Sequence, residues 1–333
     1  MSYVQALVPP QHAANHVLVL PDGGGPSVVE LAAAWFADVR WLREPQAATA
    51  AAPMRGARFR GMAASESRSA GPGVLGIGAE HGAAGPFPVA ADVAPQAGLD
   101  RAASAYALGR VDGMIDRRQG PPAATDDRDG IARAFAAGLP EGEELRLVQF
   151  GVAAARKLGG SLLADGRHLL RPDPTATVDL TLYSAHPIAP ADLLGLLRSQ
   201  VATADLADER TAPDGSRTYR AVAATPYDGT VTAEVEHVDR VPRALADLDW
   251  REYGPHVVRV GWTPQDPYEL QVEQPSGVHV IARARMRAMV ARLVLLLQAR
   301  LGGVVVDDGA FVATTAEIER RTDEQRTASR AWV

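Results

Sequence analysis

The sequence predicts an α+β protein: a degenerate tandem duplication of ferredoxin-like (split βαβ) units, each ending in a helix, a Gly-Gly break and a β-hairpin. Three observations carry this expectation. Residues 155–166, ARKLGGSLLADG, repeat as 298–309, QARLGGVVVDDG, with Leu-Gly-Gly and Asp-Gly at matching places. The second half alternates strand, helix, strand, strand, helix, strand, the order of a split βαβ unit. A chain of 333 residues also exceeds the size at which one core keeps growing, so two units are expected. The boundaries implied are a first unit over 1–174 with a loop or insertion near 44–72, a second over 175–315, and a charged tail over 316–333.

The first unit opens with the apolar run 16–20, a glycine turn over 21–26, and a helix over 27–37. Ser27 followed three residues on by Glu30 is a capping-box pattern, each side chain reaching a free amide at the helix start. Residues 39–42 read as a short strand, and 44–72 lack periodicity. Runs 74–79 and 87–93 suggest a hairpin. Residues 100–115 read as a helix, 117–130 as a polar break and 131–137 as helical. Residues 141–158 form a stronger helix, with acids at its start and Arg156 and Lys157 at its end, as the helix dipole favours. Gly159 is its expected cap.

In the second unit, 178–183 alternates as a strand and 190–201 has helical spacing through Leu193, Leu194, Leu196 and Leu197. Strands over 218–224 and 231–238 flank Asp228-Gly229, whose tolerance of positive backbone angles suits a tight hairpin. A short helix over 241–250 leads to a strand over 257–262, and 269–273 is expected to add another. A long helix without an acidic residue begins at Val278, ends at Gly302-Gly303 and turns into the strand 304–312. Laid over this scheme, the first unit lacks an evident fourth strand before its long helix.

Composition excludes several classes. A net charge of -6 disfavours a general nucleic-acid binder, which needs a basic surface. Cysteine is absent, so thiol nucleophiles, thiolate metal sites and disulfides are excluded. Five arginines interrupt the most apolar helix, at 283, 285, 287, 292 and 300, and a membrane span needs about 20 apolar residues. No secretory leader is evident at the amino terminus. Arginine replaces lysine almost everywhere, Lys157 being the sole lysine, and Ala, Gly and Pro abound. These features describe a soluble, cytoplasmic protein from a GC-rich bacterial coding sequence, with neither nucleic acid nor membrane as partner and no cofactor expected.

The motifs stop short of a reaction. Gly23, Gly24, Gly25 and Ser27 could aim backbone amides at an anion, but glycines there equally make a plain turn. Gly71-Pro72-Gly73-Val74-Leu75-Gly76 matches G-x-G-x-x-G but precedes a strand, where a dinucleotide motif opens a helix. Lys157 lacks the glycine-rich loop of a Walker motif, and no G-x-S-x-G occurs. None of the eight histidines has zinc-site spacing, so no metal is assigned. His186 and His237 lie at strand ends that a split βαβ sheet would bring together; with Tyr183 and Glu236 nearby, and Arg283 on the long helix, they are the candidate pocket residues. The paired Asp165-Gly166 and Asp308-Gly309 are read as turns. The function expected is a non-catalytic binding or interaction protein, accessory or regulatory, with an unidentified protein or small molecule as partner. The alternative is a small-molecule binder or enzyme with its site in a cleft between the duplicated units, and a homo-oligomer is a third reading.

Overall fold

The structure is a computed structural model that describes residues 3–23, 25–46, 71–113, 120, 127–211 and 217–330, the last seven as backbone. Among them are seven α-helices and two antiparallel seven-stranded sheets. The chain divides into two compact units, Met1–Val29 with Asp38–Arg118 and Pro140–Arg171, and Glu30–Ala37 with Gln119–Leu139 and Pro172–Val333.

In the first unit, β1 (His16–Pro21) is followed, after α1 (Val28–Ala33), most of which belongs to the second unit, by β2 (Val39–Arg43), β3 (Gly73–Ile77), β4 (His81–Val89) and β5 (Ala103–Arg110). After α2 (Ile131–Ala134), which belongs to the second unit, come α3 (Gly142–Leu158), β6 (Ser161–Ala164) and β7 (His168–Leu170). The strand order is β2-β3-β4-β5-β1-β6-β7. The unbroken apolar run of β1 places it centrally, because both faces of the sheet are covered. Val17 and Val19 pack with Val4, Leu7, Val8 and Phe87 on one face. Leu18, paired with Leu162, faces the other way, towards α3, where Gly151 lets the helix approach Leu162 and Leu108.

The second unit contains β8 (Leu180–Ser184), α4 (Pro190–Gln200), β9 (Asp205–Thr211), β10 (Arg217–Thr225), β11 (Gly229–His237), α5 (Trp250–Tyr253) and β12 (His256–Thr263). It closes with α6 (Gly277–Leu301), β13 (Val304–Asp307), β14 (Val312–Ala313) and α7 (Thr315–Arg330). Its order is β14-β13-β8-β12-β11-β10-β9. Alternate residues of its strands, such as Leu182, Val260, Ala233 and Ala221, form one core with Leu193 and Leu197 of α4 and Val290, Leu293, Val294 and Leu297 of α6. Ile318 of α7 joins it, so the helix in the charged tail is docked at its start. Segments from the first half of the chain also complete this unit. Trp35 Nε1 donates to Gly309 O at 3.0 Å and its ring lies 6.4 Å from that of Phe311. Arg133 makes a two-pronged bond to Glu273.

Several expectations are corrected. Neither unit has the split βαβ strand order, in which the first strand pairs with the third. Here Leu182 of β8 pairs with Val258 of β12, and β12 with β11. The reason is the connection 238–255, which holds only a 3-10 turn at Arg243–Leu245 and the four-residue α5 instead of one helix over 241–250. Without a helix to cross the sheet, β12 returns beside β11. Residues 100–115 are not a helix but contain β5, because Ala103, Ala105 and Ala107 alternate into the core and tertiary burial overrides alanine's helical preference. This supplies the fourth strand. The strand expected at 269–273 is a 3-10 turn, Pro267–Leu270, capped by Asp266 accepting from Tyr268 N at 3.0 Å. The charged edge strand β9 was not anticipated.

The turn at Asp165-Gly166 has both residues left-handed, with φ 56 and 62. At Asp308-Gly309 the loop is longer, and Ala310, with φ 60, takes the left-handed place. Most of the unperiodic stretch 44–72 and Trp332 lie outside the described residues.

Two details recur in both units. β2 bulges at Leu42, between the pairs Trp41–Leu75 and Arg43–Val74, and β9 bulges at Ala207, between Leu206–Ala221 and Asp208–Arg220. The second glycine after each long helix crowds a central strand: a Cβ on Gly160 would stand 2.3 Å from Val19 O, and one on Gly303 2.1 Å from Tyr183 O.

Candidate functional site

The fold gathers part of the expected histidine pocket. His237 and His256 are register partners whose rings meet edge-on at 5.5 Å. Burial lowers the pKa of His256, and the nearby His237 and His186 lower it further. His256, which the sequence reading missed, is the centre of this trio. The remaining candidates do not converge on it. Tyr183 is buried among Leu245, Val257 and Val306, and burial raises its phenol pKa. Glu236 Oε1 is held 2.5 Å from Arg259 Nη2. Arg283 is buried near the other end of β12, bonded to Asp173 Oδ2 at 2.5 Å and Thr175 Oγ1 at 3.1 Å. It lies one turn beyond His279, whose ring packs 5.2 Å from Trp262 at the far end of that strand.

The glycine turn fares no better as an anion site. Gly24 lies outside the described residues, and Ser27 leads into an α1 of only six residues. Gly25 is a packing glycine: a Cβ there would stand 2.7 Å from Leu158 Cδ2.

A polar cleft of about 330 Å³ lies in the first unit, lined by Glu80, His81, Arg110, Glu141, Gly142, Glu143 and Glu144. Its floor is the first turn of α3, where acids suit the helix dipole. Glu143 turns back to the hairpin between β3 and β4, accepting from Ala79 N at 2.8 Å and Glu80 N at 3.3 Å. Its Oε2 lies 3.2 Å from Nδ1 of His81, which is 7% exposed. Glu144 Oε1 lies 3.3 Å from Nε2 of His16, which is sealed at 2% exposure. His16 Nδ1 accepts from Asp165 N at 3.1 Å, so the ring proton sits on Nε2 and points at Glu144. Arg110 reaches Glu80 at 2.5 Å and grips Asp112 with two bonds.

Chemically, this cleft offers carboxylates and an imidazole but no hydroxyl, thiol or amine nucleophile among its lining side chains. Carboxylates and an imidazole can hold a cation or move protons. The sequence hid it because His16 and His81 are 128 and 62 residues from their glutamates. The consecutive Glu143 and Glu144 read as dipole acids alone. No group of His, Asp and Glu among the described residues could hold a metal ion, and no described helix is long and apolar enough to cross a membrane.

A second surface surrounds the start of α6. Tyr227, Tyr268 and Val278 are 81%, 65% and 76% exposed, with Ile281 also at the surface. Val278, Ile281 and Arg285 follow one helical face. Arg285 faces Asp228, next to Tyr227, and Glu269, next to Tyr268, accepts from Ser276 N at the helix cap. Each tyrosine is thus one residue away from a side chain bonded to α6 or its cap.

Beside β12, Asp179 accepts from Trp262 N at 2.9 Å and sits over Gly261. Desolvation raises its pKa to about 6, and Asp308 adds to the rise. In the first unit Asn15 takes the same place over Gly109. A raised folded-state pKa means the folded protein holds a proton that the unfolded chain releases, so stability falls as pH rises from about 4 to 6. Asp179→Asn should therefore raise the urea midpoint at pH 7.5 by the equivalent of about 1 kcal/mol, discounted for the solvent on the residue's outer side. At pH 4 the variant should match the parent; equal midpoints at pH 7.5 would remove the burial argument.

Compared with protein-family models, with characterised proteins and with solved structures, the chain gives no significant match.

Proposed function

We propose that this chain is a non-catalytic binding protein, accessory or regulatory in role, built from two degenerate copies of one α+β unit. Duplication is supported by the identical strand order of the two sheets once β1 is laid on β8. The shared bulges at Leu42 and Ala207 and the matching crowded glycines Gly160 and Gly303 support it further, since each is a local irregularity with no reason to recur by chance. Each copy keeps its helix, Gly-Gly and hairpin ending, with a meander in place of the split βαβ core.

The observation that carries the binding role is the exposure of Val278 and Ile281 on the first turns of α6, with Arg285 on the same face and Tyr227 and Tyr268 each next to a residue bonded to that helix or its cap. Tyrosine and arginine around aliphatic side chains is the composition of an interface centre, where large rigid groups gain burial at low entropic cost. A protein partner is the occupant this composition fits. The test compares partner recovery on the tagged chain with recovery on Val278→Glu/Ile281→Glu. Both positions are exposed, so the variant should melt within about 1 kcal/mol of the parent. The expected result is loss of a stoichiometric partner. Undiminished recovery would reject this surface, and a concentration-dependent mass of the purified chain would identify a second copy as the occupant.

A further inference from the structure

We propose that His279 is a proton-operated latch on the start of α6, which holds that end of the helix at neutral pH and releases it, with Val278 and Ile281, as the solution turns acidic. Its consequence for partner docking rests on the surface reading above; the latch itself does not. His279 is the third residue of α6, and its amide donates to Oγ of the capping Ser276 at 3.2 Å. Its side chain is 6% exposed, and its ring lies 5.2 Å from that of Trp262, a core residue of β12. Ring Nδ1 has no hydrogen-bond partner there. A neutral imidazole can occupy such a place with one nitrogen unpaired. An imidazolium brings two N–H donors and a full charge, which the same surroundings cannot solvate.

The charged groups facing the ring come from two elements. On α6 itself, Arg283 stands one turn on and opposes a second cation; from the 3-10 turn Pro267–Leu270 and its cap, Glu269 and Asp266 favour one. Strand β12 contributes only the uncharged Trp262. Both acids already accept backbone protons, Glu269 from Ser276 N at 2.8 Å and Asp266 from Tyr268 N at 3.0 Å, and Arg283 is fixed on Asp173. Burial first and Arg283 second outweigh the two acids, so the His279 pKa lies below its ordinary value. The unfolded chain therefore takes up this proton near pH 6.5 while the folded site resists it, and the stability given by the neutral ring is complete above that pH and lost as pH falls. A protonated ring must turn out to water or towards Asp266 and Glu269. Either move gives up the contact with Trp262, and the second also competes with the bonds that cap the turn and the helix. Val278 and Ile281 sit on the same first turns, so loosening them disperses the exposed surface.

The experiment is amide hydrogen exchange of the full chain at pH 7.5 and pH 5.5, corrected for the intrinsic rate, on the parent, His279→Gln and His279→Phe. The readout must be local, because His12 and His256 also have lowered pKa values and Asp179 a raised one, and a global melt would mix them. In the parent, amides of 277–285 should lose protection about threefold to tenfold at pH 5.5, the range for one proton taken up below pH 6.5, while those of α3 should not. Neither variant should show the loss. Phenylalanine keeps an aromatic ring beside Trp262, and glutamine serves if the larger ring does not fit. Unchanged protection in the parent, the same loss in a folded variant, or a loss shared equally by α3 would each overturn the proposal. Partner recovery at the two pH values is the second arm: recovery that falls at pH 5.5 for the parent but not for His279→Gln supports control of docking. An exchange response without any partner at either pH would reject the docking reading and leave the latch standing.

Discussion

Gly303→Ala is expected to cost about 3 kcal/mol or more and to leave little folded protein. Gly303 has φ 105, a backbone state that side chains resist, and its Cβ would stand 2.1 Å from Tyr183 O and 3.1 Å from Ser184 Cα. Neither neighbour can retreat. Tyr183 belongs to β8, which is paired with β13 on one side and β12 on the other. Gly160→Ala repeats the experiment in the first unit, against Val19 O, without the positive φ. Gly195 in α4 is the control, since a Cβ there meets nothing within 4 Å. Gly195→Ala should gain roughly 0.5–1 kcal/mol from the helix's preference for alanine. Urea unfolding of the three variants checks the series, and equal midpoints for Gly303→Ala and Gly195→Ala would contradict the packing described.

Trp262→Ala should destabilise by about 3–5 kcal/mol. The indole is 5% exposed and belongs to the core shared by β10, β11, β12 and α6. Its Nε1 also donates to Asp228 O at 2.5 Å in the hairpin between β10 and β11, and its ring lies tilted against that of His279. Truncation therefore removes burial, a hydrogen bond and the contact that fixes the start of α6. Trp262→Phe separates these contributions, because phenylalanine restores most of the apolar volume but leaves the Asp228 carbonyl unpaired, a loss of about 1–2 kcal/mol. If both variants lose the same stability, the hydrogen bond and not the packing dominates.

The shared Leu-Gly-Gly pattern was legible where local backbone demands are strict. Leu158-Gly159-Gly160 and Leu301-Gly302-Gly303 are visible because Gly159 and Gly302 take left-handed angles, φ 68 and 67, and the next residue cannot carry a side chain. The fold was illegible where sequence satisfies only tertiary needs. β5 hides because its inward residues are alanines, and in an alanine-rich chain Ala103, Ala105 and Ala107 look helical until neighbours bury them. β9 hides because an edge strand facing water carries Asp205, Asp208, Glu209 and Arg210, charges that also discourage edge-to-edge pairing. Strand order depended on the shortness of the connection 238–255. The cleft was out of reach for a different reason: Glu143 and Glu144 each satisfy a local rule and a distant histidine at once, and only the local rule is written in spacing.

The interleaved course of the chain bears on how it could be cut. Residues 30–37 and 119–139 belong to the second unit although they precede the whole of the first unit's last helix. A fragment beginning near 174 would have Phe311 without Trp35 beside it and Glu273 without Arg133. Such fragments would behave as complementing halves and not as autonomous domains, the second regaining its full stability only when the first supplies its two lent segments.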